Sequence, residues 1–179
     1  MLNLACGSCR ELKELLRGEA VRKEVDFTCI DQDREALDFA KDNLASYSQR
    51  NVTFRFIEDN ILNLFKSPDH YRKSLRTYDV VYSIGLADYL PDRILSKLLQ
   101  FGYYLLESGG KFIITHKDKD RYAPIPADWY CDWNFVKRSQ DDLITLVKNA
   151  CKDGPRIDIE REKTGCIFFL VLTKGAGSK

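Results

Sequence analysis

The chain has little net charge, few histidines and no long hydrophobic run. A formal net charge of +1 over 179 residues gives no global field toward nucleic acid, membrane or polyanions. A nucleic-acid partner is therefore disfavoured, although a local basic patch is compatible with near-neutrality. The longest apolar run, Cys166 to Leu172, is the length of a strand and far below the ~20 residues needed to cross a bilayer. No charged segment followed by an apolar one opens the chain, so no secretory signal is expected and a cytoplasmic location is. With only two histidines, His70 and His116, general-base chemistry has few candidates. Internal repeats and low-complexity segments are absent.

What is present is an ordinary globular composition, 44% hydrophobic and 31% charged, in a chain long enough for one well-packed domain. Six cysteines could suggest disulfides. A core of this size needs no covalent staples, and reduced thiols are the better expectation. Cys6 and Cys9 form a C-x-x-C, but Cys29, Cys131, Cys151 and Cys166 are singletons. No second metal-ligating pair exists, and no metal site is expected.

Strand and helix patterns alternate. Leu2 to Ala5 reads as a strand, and residues 8 to 17 as a helix on Leu12, Leu15 and Leu16, ending near Gly18. Val25, Phe27 and Cys29 alternate up to Ile30-Asp31. A helix from about Arg34 to Tyr47 then presents Leu37, Ala40, Leu44 and Tyr47. Val52, Phe54 and Phe56 mark a third strand ending at Glu58-Asp59-Asn60, followed by a less regular stretch, 61 to 77. Tyr78 to Ser83 is the fourth strand. Pro91 opens a long helix carrying Ile94, Leu95, Leu98, Leu99, Leu105 and Leu106, which Gly109-Gly110 ends. Lys111 to His116 is the fifth strand, and 117 to 138 reads as a long loop. Ser139 with Asp142 resembles a capping box opening the last helix, with Leu143, Leu146, Val147 and Ala150 on its core face. Arg156 to Lys163 and Cys166 to Thr173 form a hairpin turning at Thr164-Gly165.

This order implies a mostly parallel α/β sheet covered on both faces, with one antiparallel strand added by the closing hairpin. The ordered domain is expected over 1–174, with 175–179 a disordered tail. A core strand beginning at residue 2 leads us to expect that a longer protein carries a segment before it. Ligands of such sheets bind beyond the carboxyl ends of the strands, which directs attention to four places. After the first strand comes Ala5-Cys6-Gly7-Ser8-Cys9-Arg10, a small-residue turn feeding a helix, where backbone N–H groups can approach an anion. After the second comes Asp31, about 20 residues further on, suited to gripping two ribose hydroxyls. After the third come Asp59 and Asn60, able to read an adenine edge. After the fourth comes Ser83-Ile84-Gly85-Leu86-Ala87-Asp88-Tyr89, a turn that can face a reacting group.

In these motifs, in their order and spacing, the chain from Leu2 to Thr173 resembles the class I S-adenosylmethionine-dependent methyltransferases. The resemblance implies a three-layer Rossmann-like sheet and S-adenosylmethionine as cofactor. It implies cofactor contacts from Asn3, Ala5, Cys6, Gly7, Asp31, Gln32, Asp59, Asn60, Ser83, Ile84 and Gly85. More narrowly, Gly85-Leu86-Ala87-Asp88-Tyr89-Leu90-Pro91-Asp92 and Trp133-Asn134-Phe135-Val136-Lys137-Arg138 look like the bacterial methyltransferases associated with making the methyl ester of 3-hydroxypalmitate. The family's glycine loop commonly reads Asp-x-Gly-x-Gly-x-Gly. Here Asn3, Ala5, Gly7 and Cys9 stand at those places, so the acid for the cofactor's ammonium is missing and Cys9 narrows the approach to the backbone.

The acceptor is expected to be a small molecule, for which a hydrophobic carboxylic acid is the favoured choice. Tyr89 is placed beside the transferred methyl, and Arg138 is a candidate clamp for a substrate carboxylate. Arg138 could equally pair with Asp141 or Asp142. Tyr122, Trp129, Tyr130 and Trp133 could line a substrate lid or pack the long loop onto the core. His70, Arg72, Lys73 and Arg76 read as a solvated surface cluster.

Three rival functions remain. A dehydrogenase fingerprint would put its third glycine at Arg10, where close packing admits no side chain. Methyltransferases acting on exocyclic amines of nucleic-acid bases resemble one another in a Pro-Pro-aromatic turn, absent from Ser83-Ile84-Gly85-Leu86. A non-catalytic cofactor-binding domain is kept open by the altered glycine loop.

Overall fold

The first strand is only three residues long, yet it is wholly buried. In the computed structural model, which describes residues 1–18, 23–48, 51–122 and 134–177, β1 (Leu2–Leu4) pairs in parallel with β2 (Val25–Asp31), with Asn3 opposite Cys29. In turn, β2 pairs in parallel with β3 (Val52–Glu58). Phe27 to Ile30 are buried without a break, the mark of a parallel strand covered on both faces. Between these strands run α1 (Arg10–Gly18) and α2 (Arg34–Leu44). Asp33 caps α2, its carboxylate accepting the N–H groups of Glu35 and Ala36, and Leu37, Ala40 and Leu44 form the buried stripe. A fully buried leucine such as Leu44 contributes about 1.5–3 kcal/mol. In α1 only part of the expected stripe is inside: Leu12 is buried and Leu15 is exposed.

After β3 the stretch read as irregular forms two short helices, α3 (Ile61–Lys66) and α4 (Pro68–Leu75). The Asn60 side chain accepts the Leu62 N–H, and Pro68 stands in the first turn of α4. Leu64 and Leu75 are the only buried residues they contribute among those described.

Contacts divide the chain into two compact units, Met1–Tyr78 and Asp79–Lys179, each described by itself. The second holds α5 (Asp92–Tyr104), β5 (Leu106–Lys117), α6 (Gln140–Ala150), β6 (Arg156–Arg161) and β7 (Ile167–Thr173). At the boundary lies β4 (Tyr78–Ser83). Antiparallel pairing sets β7 between β5 and β6, with Lys111 opposite Thr173 and Arg156 opposite the same residue. The strand order of the sheet is β3-β2-β1-β4-β5-β7-β6. The mostly parallel α/β sheet with an antiparallel C-terminal hairpin is thus as the sequence implies.

The largest shift of a boundary is at the start of β5. Leu105 and Leu106, read as helical, lie beyond the end of α5, and β5 begins five residues earlier than expected. Backbone bonds explain it: Gly109 donates to the Lys174 carbonyl and Lys174 donates to the Gly110 carbonyl, so the segment extends the ladder. A buried leucine pair has the same apolar signature in a helix as in a strand. In α6 the capping box is present in full: Ser139 Oγ accepts the Asp142 N–H, and the Asp142 carboxylate accepts the Ser139 N–H. These bonds, with Lys119, hold the Asp142 carboxyl down to about 2.

Candidate cofactor and acceptor sites

Between β1 and α1 the backbone alternates in hand. Ala5, Gly7 and Cys9 take positive φ values of 56°, 50° and 51°. These are the three positions at which the resembling family commonly carries glycine. The loop conformation therefore persists without two of its glycines, at a cost of roughly 1–2 kcal/mol for each non-glycine residue held in that region. Three of the loop N–H groups are bonded within the protein: Cys6 donates to the Ile30 carbonyl, Gly7 to Asp31 and Cys9 to the Cys6 carbonyl. A Cβ built on Gly7 meets nothing within 4 Å, so the loop is open on that side. The Cys9 side chain is buried beside Cys6 and Cys29, so it does not narrow the approach as the sequence suggested.

Asp31 ends β2 and braces this loop. Its Oδ2 accepts the Gly7 N–H at 2.7 Å and its Oδ1 accepts the Asp33 N–H at 2.9 Å. Each oxygen keeps a second lone pair, the number needed for two vicinal hydroxyls. Asn3 is buried, and its amide donates to Glu11 Oε1 at 2.7 Å. A carboxylate thus stands beside the position where the family carries an acid, supplied from the first turn of α1. Sequence reading missed Glu11 because it lies outside the loop motif. Its signal was an acidic residue at a helix start.

The Asp59 carboxylate accepts from the Tyr71 hydroxyl, the Asn63 amide and the Asn60 N–H, which ties the end of β3 to α3 and α4. Partial burial pushes its carboxyl up, but these three donors outweigh that and hold it below the usual range. Little of Asp59 is left for an adenine, a more structural position than expected. Asn60 caps α3, and its amide donates to Gln32 Oε1 at 2.6 Å.

In the second unit, Ser83 is buried at the end of β4 and its hydroxyl has no hydrogen-bond partner among the described residues. Ile84 is exposed, and Gly85, at φ 84°, donates its N–H to Thr115 Oγ1 at 2.9 Å. Asp88, unremarked as a functional residue in the sequence, is the hub here. Its carboxylate accepts the Lys117 N–H at 2.9 Å and lies 2.8 Å from Lys117 Nζ. His116 Nδ1 is 2.9 Å from Asp88 Oδ1, close in distance but off the line of a directed hydrogen bond. Burial pushes the Asp88 carboxyl up, while His116 and Lys117 beside it prevail and hold it below the usual range.

Lys117 stands against two aromatic rings. Its ammonium lies 3.8 Å from the Phe135 centroid and 5.9 Å from that of Tyr122. Tyr89 and Tyr122 each approach Phe135, at 5.4 Å and 5.7 Å between centroids. Tyr89 remains 43% exposed, an aromatic surface open to a ligand. Trp129, Tyr130 and Trp133 lie outside the described residues.

Arg138 is placed differently from the clamp expected of it. It is 3% exposed, and its guanidinium donates to Asp92 Oδ1 through Nε and NH2, to the Ala87 carbonyl and to the Leu90 carbonyl. Its ionic partner is Asp92, not Asp141 or Asp142. The fork is spent on the turn that carries Asp88 and Tyr89, because that turn has carbonyls no helix or strand satisfies.

An α/β sheet with a hand-alternating loop after its first strand and an acid after its second defines a nucleotide-cofactor protein of the Rossmann-like class. The chain belongs to the methyltransferase domain family, which matches residues 2–112. No curated protein sequence matches it. Among solved structures it is similar to an O-methyltransferase family protein from Burkholderia thailandensis, at 18% identity and a TM-score of 0.72, over 99% of this chain and 51% of that one. It is also similar to a possible exported protein from Bordetella parapertussis, at 20% identity and a TM-score of 0.71, over 98% and 61%. Human N-acetylserotonin methyltransferase, solved in complex with S-adenosylmethionine, aligns at 22% identity and a TM-score of 0.63, over 98% and 47%. The chain thus spans about half to three-fifths of the length of these structures. No helix among the described residues is long and apolar enough to cross a membrane.

Proposed function

We propose that this chain is the catalytic domain of an S-adenosylmethionine-dependent methyltransferase whose acceptor is a hydrophobic carboxylic acid, such as a hydroxy fatty acid, methylated on oxygen. The observation that carries the reading is the β1–α1 loop: positive φ at Ala5, Gly7 and Cys9, braced by Asp31. When bound, S-adenosylmethionine supplies an electrophilic methyl group on a positively charged sulfur. Asp31 holds the ribose hydroxyls on its two remaining lone pairs, and the loop lies against the amino-acid end of the cofactor. Glu11 beside Asn3 supplies the negative charge for its ammonium. Gln32 and Asn60 are assigned to the base on the order of the motifs, with Asp59 fixing Asn60 beside it. Ser83, Ile84 and Gly85 are assigned to the same cofactor on the order of the motifs.

A carboxylate acceptor is ionised at neutral pH, so no side chain has to remove a proton. That agrees with a site whose histidine, His116, is fully buried. The work left to the protein is alignment and exclusion of water. Tyr89, Phe135 and Tyr122 offer apolar walls for an acyl chain, and Lys117 is a cation within that aromatic group. Arg138 is a positioning residue that holds the Asp88–Tyr89 turn.

The test is mass spectrometry of reactions with medium- and long-chain hydroxy acids. A methyl ester is expected, and Tyr89→Ala should depress turnover while cofactor affinity stays within about threefold, because Tyr89 does not grip the cofactor. Methylation of an amine or a nucleic acid instead would overturn the acceptor assignment.

A further inference from the structure

The sequence presents Cys6 and Cys9 as a lone C-x-x-C and Cys29 as a singleton, but folding brings the three together. Their Sγ atoms all lie within 4.8 Å of one another. All three side chains are buried, at 7%, 1% and 0% exposure. Two backbone features aim them. The Cys9 N–H donates to the Cys6 carbonyl at 3.0 Å, closing a tight turn that sets both thiols on one side. Cys9 itself is held at φ 51°, a conformation disfavoured for a residue with a side chain. Cys29 comes from the middle of β2, opposite Asn3 of β1 and Phe56 of β3.

We propose that Cys6, Cys9 and Cys29 form a binding site for one soft metal cation of the copper(I) class, held by three sulfurs. Metal–sulfur bonds of about 2.3 Å in a trigonal arrangement would separate the sulfurs by about 4.0 Å, within the span these three already occupy. Thiolates select soft cations. The cluster contains no fourth donor from histidine, aspartate, glutamate or cysteine among the described residues. Structural zinc sites are almost always four-coordinate, so the set disfavours zinc and suits an ion content with three ligands. Asp31 and Glu11 add negative potential, Asp31 acting on Cys9 and Glu11 on Cys29, which a bound cation would relieve. The open side of Gly7, next to the slightly exposed Cys6, offers a way in.

Binding forms three copper–sulfur bonds and releases to solvent whatever protons the thiols carry. No oxidation is involved. The site does not depend on the methyl-transfer reading, although it lies behind the loop which that reading gives to the cofactor. Buried cysteines also occur as plain small apolar residues, and the experiment separates the two cases.

The reduced chain is titrated with copper(I) under anaerobic conditions against a chromophoric copper chelator, with zinc(II) in a parallel arm. One copper(I) per chain should be retained. Cys6→Ser, Cys9→Ser and Cys29→Ser should each weaken retention more than about a hundredfold, beyond what loss of an outer partner gives. Cys166→Ser, in the other unit, should leave it unchanged. Melting curves accompany each variant, and Cys6→Ser, at the most exposed of the three positions, serves if Cys29→Ser fails to fold. Failure to retain copper against the chelator would overturn the proposal. So would retention that survives Cys6→Ser and Cys9→Ser, or zinc bound in preference to copper.

Discussion

Replacing Arg138 by methionine separates a brace from a substrate clamp. The guanidinium satisfies the buried Ala87 carbonyl and the partly buried Leu90 carbonyl. Leaving a buried acceptor without a donor costs about 1–3 kcal/mol, and the Leu90 carbonyl, partly reached by water, costs less. The ion pair adds little, because Asp92 is 67% exposed on its side chain and rehydrates when its partner is removed. The methionine stem keeps most of the apolar packing. Together these give a loss of roughly 2–4 kcal/mol, or about 4–16 °C in Tm for a chain of this size. The assay is thermal and urea unfolding of Arg138→Met beside Asp92→Asn, which should cost under about 1 kcal/mol. If Arg138→Met melts within about 2 °C of the parent while turnover is abolished, the brace is wrong and the guanidinium acts on substrate.

Ala5→Gly should leave stability unchanged or raise it by up to about 1 kcal/mol in urea unfolding, since relief of the positive φ is partly offset by glycine's greater freedom when unfolded. Gly102→Ala should destabilise: its Cβ would lie 2.5 Å from the ring of the fully buried Phe112, an overpacking cost of about 1–3 kcal/mol that exceeds the gain in helix propensity. Melting curves with and without Phe112→Leu, which should recover part of the loss, check this. Burial pushes the Asp118 carboxyl up, but the Asp120 N–H and the Arg161 guanidinium, 2.8 Å away, outweigh it and hold it below the usual range. Asp88, Asp118 and Asp142 have folded pKa values below their ordinary ones, so each adds stability above about pH 4 that is lost as pH falls through the folded value, about 2 for Asp142. Acid unfolding should therefore steepen below pH 4, and Asp88→Asn should flatten that limb.

The sheet was legible because the 3.6 period of Leu37/Ala40/Leu44 survives in the structure as burial and Phe27, Cys29 and Val52 are buried, although β2 is buried without a break to Ile30 and Phe54 and Phe56 are only half-buried. Reading failed where long-range bonds decide. Leu106 looked helical because the Lys174 pairing that carries β5 back toward it lies more than sixty residues away in sequence, while Leu105 is the C-cap of α5. The segment 61–77 looked irregular because its helices are short and bury one residue each, Leu64 and Leu75, so no apolar stripe marks them. At the candidate site, Asp31 and Gly7 could be named from motif order. Their mutual hydrogen bond, the contact of Asn3 with Glu11 and the convergence of Cys29 on the C-x-x-C could not, since each joins residues whose spacing follows no local period. Arg138 misled for a related reason: an arginine before a helix has the same signature whether its fork meets a ligand or a turn of its own chain.

The central claim is that the β1–α1 loop and Asp31 hold an adenosyl cofactor. Isothermal titration of the chain with S-adenosylhomocysteine, with NADH as control, tests it most directly. Binding of the former and not the latter is predicted. Asp31→Ala should weaken it by about 1.5–3 kcal/mol, roughly tenfold to 150-fold in Kd, as for a lost hydrogen bond to a charged group. Binding of NADH without any response to S-adenosylhomocysteine, or an affinity for S-adenosylhomocysteine unchanged in Asp31→Ala, would contradict the account.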